Sequence, residues 1–338
     1  MSKKIDAYTH FCPLDFIEFL ESSLGKQAHV FRQLFSTTPT LTHPNLRLQL
    51  MDKHGIDMHV LVPLPWLEGT PTIHANPKLA EQAAKLCNDG LYQIVSAHSD
   101  RFLGVAILPT TNSEIMMAEF ERAINELGFV GAVIFVGPTV TRGDDQSYEP
   151  LYQRATELDV PLWLHPCRPA NYPDYIDESK SEYLLWQTLG WLMDTSSVMV
   201  RLVFSGVFQR YPQLKLITHH HGALIPLFAK RMQESYTYFE YNSDFKLNTN
   251  ISQPYIDHFK HFYCDTATLG FEPLLLEMAY NFFDVEHILF GSDTPMDTKA
   301  GDIFTPETDR SIANLLIPEA DRKKIYSENF LNLINKNH

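Results

Sequence analysis

Imidazole and carboxylate side chains recur in this sequence at one kind of place, the polar end of a short apolar run. His10 ends the run Ile5–His10, in Tyr8-Thr9-His10, and His165 falls at the end of Pro161–Pro166. His219, His220 and His221 stand where the run from Leu214 ends, Asp265 follows Cys264, and Asp293 closes His287–Asp293. Neutral imidazole and carboxylate are the donors that a borderline divalent ion such as zinc takes. An ion held that way serves as template and Lewis acid. A lone histidine at a strand end is more often a satisfied polar residue, and a lone aspartate there readily caps a turn. Several such residues on one rim carry the metal reading. Strand alternation turns successive side chains to opposite faces. Either His220 or the pair His219 and His221 therefore faces inward.

These ends meet only if the runs are staves of one closed sheet. The runs are Ile5–His10, His59–Pro63, Phe102–Pro109, Gly131–Val136, Pro161–Pro166, Leu214–His220, His261–Thr266 and His287–Asp293. Their nearly continuous apolar character suits parallel strands covered on both faces. Between them lie stretches with helical spacing: 77–98, 113–127, 148–158, 182–210, 223–239, 272–283 and 307–334. Strands alternating with helices predict an α/β fold, and eight of them a (β/α)8 TIM barrel. The runner-up, an open doubly wound sheet, is weakened because no G-x-G-x-x-G follows the first strand. No low-complexity linker divides residues 1–338, so one domain is expected.

Two long connections leave C-terminal strand ends, where barrels of this kind build their sites: Phe11 to about Asn45, and Cys167 to about Gly190. From them come the candidate substrate contacts. Arg168 has the planar fork that grips a carboxylate, although a surface or capping arginine is the plainer reading. Phe11, Trp66 and Trp191 are candidates for an aromatic wall, although such residues are more often core. Tyr8 is a candidate hydrogen-bond donor to substrate. Asp265 is expected to orient His220 or another site residue from behind.

Composition narrows the class. The chain has 338 residues, 44% hydrophobic, and a net charge of −14, which excludes the positive stripe that tracks nucleic acid. No apolar run approaches membrane-spanning length. The N-terminus is charged and has no apolar segment of the signal-peptide kind. The four cysteines, Cys12, Cys87, Cys167 and Cys264, are far apart with no C-x-x-C pair. They are expected to be free thiols in a reducing cytoplasm.

Several short motifs occur in a telling order: Ile5-Asp6-Ala7-Tyr8-Thr9-His10, Asp100-Arg101-Phe102, Trp163-Leu164-His165-Pro166, Arg201 to Gly206, Tyr211 to Lys215, Thr218-His219-His220-His221-Gly222 and Phe290-Gly291-Ser292-Asp293-Thr294-Pro295. With them the chain resembles the amidohydrolase-related family, the branch holding aminocarboxymuconate-semialdehyde decarboxylase and γ-resorcylate decarboxylase. The resemblance implies metal ligands at His10, His165 and Asp293. It also implies a catalytic histidine at His220, because Pro226 falls where the family's H-G-G-G-x-x-P proline falls. It departs at Tyr8, where the family carries histidine or glutamate. Val133 to Val136 contains no lysine, so the resemblance implies one divalent metal, zinc or manganese, and not two.

Two chemistries fit these residues. In one, a small aromatic or unsaturated carboxylic acid loses carbon dioxide and Asp293 delivers a proton to carbon. In the other, water attacks an ester, lactone, amide or β-keto thioester, with Asp293 or His220 as base. A metal-free binding protein on the same fold is the non-enzymatic alternative. The resemblance further implies a homo-oligomer, dimer or tetramer, acting on a small molecule.

Overall fold

A computed structural model describes residues 3–24, 29–66, 70–244, 247, 249–267 and 273–334. The charged N-terminal Met1 and Ser2, and Glu272 at the start of one expected helix, lie outside the described residues.

The strands are β1 (Ile5–His10), β2 (Met58–Val62), β3 (Phe102–Gly104), β4 (Ala106–Ile107), β5 (Ala132–Val136), β6 (Leu162–Pro166), β7 (Leu216–Thr218), β8 (Tyr263–Asp265) and β9 (Ile288–Leu289). Every pairing between them is parallel. Regular pairing divides them into β1-β2-β3 and β4-β5-β6-β7-β8-β9. Backbone hydrogen bonds join the two groups at both seams. β3 and β4 are one stave interrupted at Val105: Val130 N–H donates to the Gly104 carbonyl (3.0 Å) and Ala106 N–H to Gly131 (2.9 Å). At the other seam Ala7 N–H donates to the Phe290 carbonyl (2.7 Å), Asp293 N–H to Tyr8 (3.0 Å) and His10 N–H to Thr294 (2.7 Å). The eight staves thus form the expected barrel.

Almost every strand residue is buried, which is why the runs show no polar alternation. Trp163 fills the barrel interior; it is fully buried, and its indole N–H donates to the Ala7 carbonyl across the barrel (3.0 Å). The helices cover the outside. α1 (Leu14–Leu24), α2 (His29–Thr37) and α3 (Pro44–His54) lie between β1 and β2, and α4 (Pro77–Ala97) between β2 and β3. Asn76 caps α4 by accepting from the Lys78 and Leu79 N–H groups, with Pro77 in its first turn. The buried face of α4 carries Asn88, whose amide exchanges two 3.0 Å hydrogen bonds with the backbone of Ile107. Among the described residues no helix is long and apolar enough to cross a membrane. The four cysteines are buried and form no disulfide.

Several elements differ from expectation. The connection after β1 is built of helices, because α1 and α2 pack their own apolar faces. The helix expected over 182–210 is broken into Leu185–Thr188, α5 (Gly190–Phe204) and a turn from Val207. Gly206, with φ +75°, allows the second break. The span 307–334 divides into α6 (Phe304–Asn314) and three short segments beyond Pro318. β7 stops at Thr218 and not at His220, a change that matters for the site.

Replacing Trp163 with alanine removes the barrel's central plug and leaves a cavity. Urea unfolding should show a loss of about 3–5 kcal/mol.

Candidate active site

β1, β6, β7 and the segment after β9 end on one rim and bring their polar residues together. His10, His165, His219 and Asp293 are all at least nine-tenths buried there. His10 Nε2 lies 3.0 Å from Asp293 Oδ1, and His219 Nε2 lies 3.5 Å from the same oxygen. The donor atoms of His10, His165 and His219 all lie within 4.8 Å of one another; so do those of His219, His220 and Asp293.

The tautomers follow from what stands behind each ring. His10 Nδ1 donates to the Val62 carbonyl (3.1 Å) and His165 Nδ1 to the Pro166 carbonyl (2.6 Å). His219 Nδ1 bonds to the Asp265 carboxylate. A ring held by Nδ1–H presents a bare Nε2, the form that ligates metal. His220 differs: neither ring nitrogen has a hydrogen-bond partner, and the ring lies on the wall of a cavity.

The strand-alternation reading of the three histidines fails because the strand ends before them. His220, His221, Gly222 and Ala223 all adopt left-handed backbone, with φ between +54° and +77°. Three of these are not glycine, so the turn is strained and must be held. Asp265 holds it. Its carboxylate accepts the His220 N–H (3.0 Å) and the Ala267 N–H (3.0 Å) as well as the His219 ring. The turn places both His219 and His220 at the rim, while His221 bonds the Ala267 carbonyl (3.0 Å). Asp265 therefore orients the ring of His219, not that of His220.

Asp293 is also left-handed, at φ +62°. Asp6, on β1, fixes its neighbour by accepting the Ser292 N–H (3.0 Å) and hydroxyl (2.5 Å). Arg47, fully buried, donates from Nη2 to the His10 carbonyl (2.5 Å). Nothing in the pattern of apolar runs marks Asp6, Ser292 or Arg47 as supports. Their roles come from the β1–β9 seam and from α3 reaching under β1.

Electrostatics fit a cation. Burial raises the Asp293 pKa, but the His10 and His219 rings beside it outweigh that and hold the group well below the usual carboxylate range. Burial disfavours charge on His219 too, yet Asp265 and Asp293 together lift its pKa to about 9. The two buried carboxylates thus favour a positive charge between them. Burial drives His165 and His220 well below the ordinary histidine range, so both are neutral bases. Once an ion displaces the proton that the carboxylates favour on His219, three imidazole nitrogens and a carboxylate oxygen are a donor set that fits a divalent ion.

The cavity beside this cluster has a volume of about 270 Å³. Trp191, Leu192, Leu224, Leu227, Leu275 and Met278 form its apolar wall, and Gln187, Thr188, His220 and His221 its polar one. Trp191 links cavity and cluster, its ring standing edge-on to His165 at 5.7 Å while its N–H donates to the Arg168 carbonyl (3.0 Å).

The remaining expected contacts lie elsewhere. Arg168 is not a free carboxylate clamp, because Asp194 already occupies its fork (2.7 and 3.1 Å) and Tyr172 stacks on it. Phe11 is fully buried beneath the Arg47 guanidinium. Trp66 packs with Cys12, Ile17, Leu41 and Leu64 and meets Phe35 edge-on, away from the cavity lining. Tyr8 is fully buried; its hydroxyl donates to the Leu164 carbonyl (3.1 Å), and its ring stacks on His219 at 3.9 Å. Burial and the charges of Asp265 and Asp293 keep it a neutral phenol.

The chain is similar to several known proteins. An amidohydrolase family model matches residues 5–330. The γ-resorcylate decarboxylase of Polaromonas sp. (strain JS666) is 31% identical over 301 residues, 86% of this chain and 87% of that protein. A 2,6-dihydroxybenzoate decarboxylase solved with 2,6-dihydroxybenzoate aligns with a TM-score of 0.81 and 26% identity, covering 99% of this chain and 100% of that one. A dihydroxybenzoic acid decarboxylase from Polaromonas sp. JS666, solved with manganese and the inhibitor 2-nitroresorcinol, gives a TM-score of 0.77 at 26% identity, covering 100% of this chain and 98% of that one.

The Arg168–Asp194 pair ties the connection after β6 to α5. Arg168→Gln should lower stability by about 1–3 kcal/mol in chemical denaturation. KM for a carboxylate substrate should stay within a few-fold. A hundredfold rise in KM at unchanged stability would make Arg168 a substrate contact after all.

Proposed function

Because the chain belongs to the amidohydrolase family, we propose that it is a metal-dependent, non-oxidative decarboxylase of a small aromatic carboxylic acid. The observation that carries this reading is a buried imidazole–carboxylate cluster beside a cavity whose described lining is uncharged and mainly apolar, with the Trp191 indole between them. The decarboxylase relatives support it. A divalent ion, zinc or manganese, at His10, His165 and Asp293 would supply the template and Lewis acid for the carboxylate and an adjacent ring hydroxyl.

The chain's own groups do the rest. Trp191 offers its face to the substrate ring, and Leu192, Leu224, Leu227, Leu275 and Met278 exclude water. A cavity of about 150 Å³ holds benzene, so 270 Å³ admits one ring with a substituent. As carbon dioxide leaves, the electron pair of the broken C–C bond stays on the ring carbon, which takes a proton. Asp293 rests as a carboxylate, so it takes that proton from the bound acid, directly or through His220, which as a neutral base first accepts it, before handing it to carbon. His220, neutral and without a hydrogen-bond partner, faces the cavity where such an exchange occurs.

Two outcomes are expected. Asp293→Asn keeps the shape but carries no transferable proton, and carbon dioxide release from hydroxybenzoates should fall by about 10³-fold or more. Turnover near the wild-type rate would refute the proton-transfer role, and hydrolysis of esters, lactones or β-keto thioesters without carbon dioxide release would refute the reaction class. Among the described residues lining the cavity none is Lys, Arg, Asp or Glu. A second ring carboxylate should therefore lower kcat/KM by about 100-fold relative to a methyl group at that position.

A further inference from the structure

We propose that His219 is a metal ligand of this chain, taking the place in the coordination shell that Tyr8 leaves vacant. The inference rests on the metal reading of the site given above. It departs from the ligand set that the family resemblance transfers, which contains no residue at position 219.

Three observations converge on it. Tyr8 holds the strand position two before His10, but its hydroxyl donates to the Leu164 carbonyl and its ring lies flat against the His219 ring, 3.9 Å away and tilted by 13°. A phenol engaged in this way is a platform, not a donor to a cation. His219 sits in the same layer of the barrel mouth. It shares a 4.8 Å cluster of donor atoms with His10 and His165, and its Nε2 lies 3.5 Å from the Asp293 oxygen that His10 approaches at 3.0 Å. Donors about 2.1 Å from one ion are separated by at most about 4.2 Å. His219 thus stands close to that reach from His10, His165 and Asp293 alike.

The third observation separates His219 from its neighbour. Metal-bound imidazoles give their other N–H to a carboxylate or a carbonyl, which fixes tautomer and direction. His219 does so to Asp265, as His10 does to Val62 and His165 to Pro166. His219 Nε2 is buried with no hydrogen-bond partner. His220 has no anchor on either nitrogen and lines the cavity, the position of a group that meets substrate. The run of adjacent histidines thus divides its labour: His219 faces the ion and His220 the substrate. Tyr8 and His219 are one exchange of roles, an aromatic platform on β1 for an imidazole after β7.

The test is divalent-ion binding to the purified, metal-stripped chain, read by titration calorimetry with MnCl₂ or ZnCl₂ and by the rise in Tm on adding either. His219→Ala should weaken binding at least 100-fold while the apo Tm stays within a few degrees of wild type. Asp265→Asn should weaken it about 10–100-fold, and should add little once His219 is already alanine, because it acts through that ring. Tyr8→Glu combined with His219→Ala should recover much of the lost affinity by returning a ligand to β1. Wild-type affinity in His219→Ala would overturn the assignment while leaving the metal reading intact. Failure of the wild-type chain to bind either ion would overturn both. If His219→Ala does not fold, the Asp265→Asn titration decides: unchanged affinity there refutes the proposal.

Discussion

The rim depends on the fixed direction of imidazole N–H groups. Each of His10, His165 and His219 gives its Nδ1–H to an acceptor that the barrel wall cannot move: two backbone carbonyls and a buried carboxylate. What remains at the centre is a set of Nε2 atoms beside one carboxylate oxygen. In a water-excluded site such donors need no reorganisation when a cation or a developing charge arrives. Had the acceptors stood on the other side, the same residues would have been ordinary buried histidines.

Holding those acceptors in place is the work of the barrel. The seam between β1 and the segment after β9 does double duty, since the backbone bonds that complete the ring also set His10 and Asp293 side by side. Asp6 reinforces it by gripping Ser292, and Gly291 leaves room: a Cβ there would stand 2.8 Å from Asp265 and 3.0 Å from Tyr8. The strained backbone of Asp293 and of His220 to Ala223 persists because these contacts over-determine it. Strain of this kind is common where geometry is functional.

The cavity adds selectivity by what it lacks. Its described lining offers one indole face, aliphatic side chains and a few neutral polar groups, with Arg168 withdrawn into its pair with Asp194. Charge at this mouth is concentrated in the cluster below it. An acid entering there has one place for its carboxylate and an apolar surround for its ring.

The sequence by itself determined the alternation of strands and helices, the barrel that follows from it, and the rim position of His10, His165 and Asp293. Apolar runs ending in polar residues are a local signal, and parallel topology then forces their ends to one side. Trp191 was also legible as a candidate, an aromatic just past a long connection after a strand. Only the tertiary structure decided which histidine of the three does what. The end of β7 at Thr218 and the left-handed turn behind it depend on Asp265, a residue 46 positions from His219 in the chain. The same holds for Tyr8, Phe11, Trp66 and Arg168, whose types suited a substrate site but whose partners lie far off in sequence. A residue's type limits the bonds it can make; which of them it makes is set by the neighbours that packing supplies.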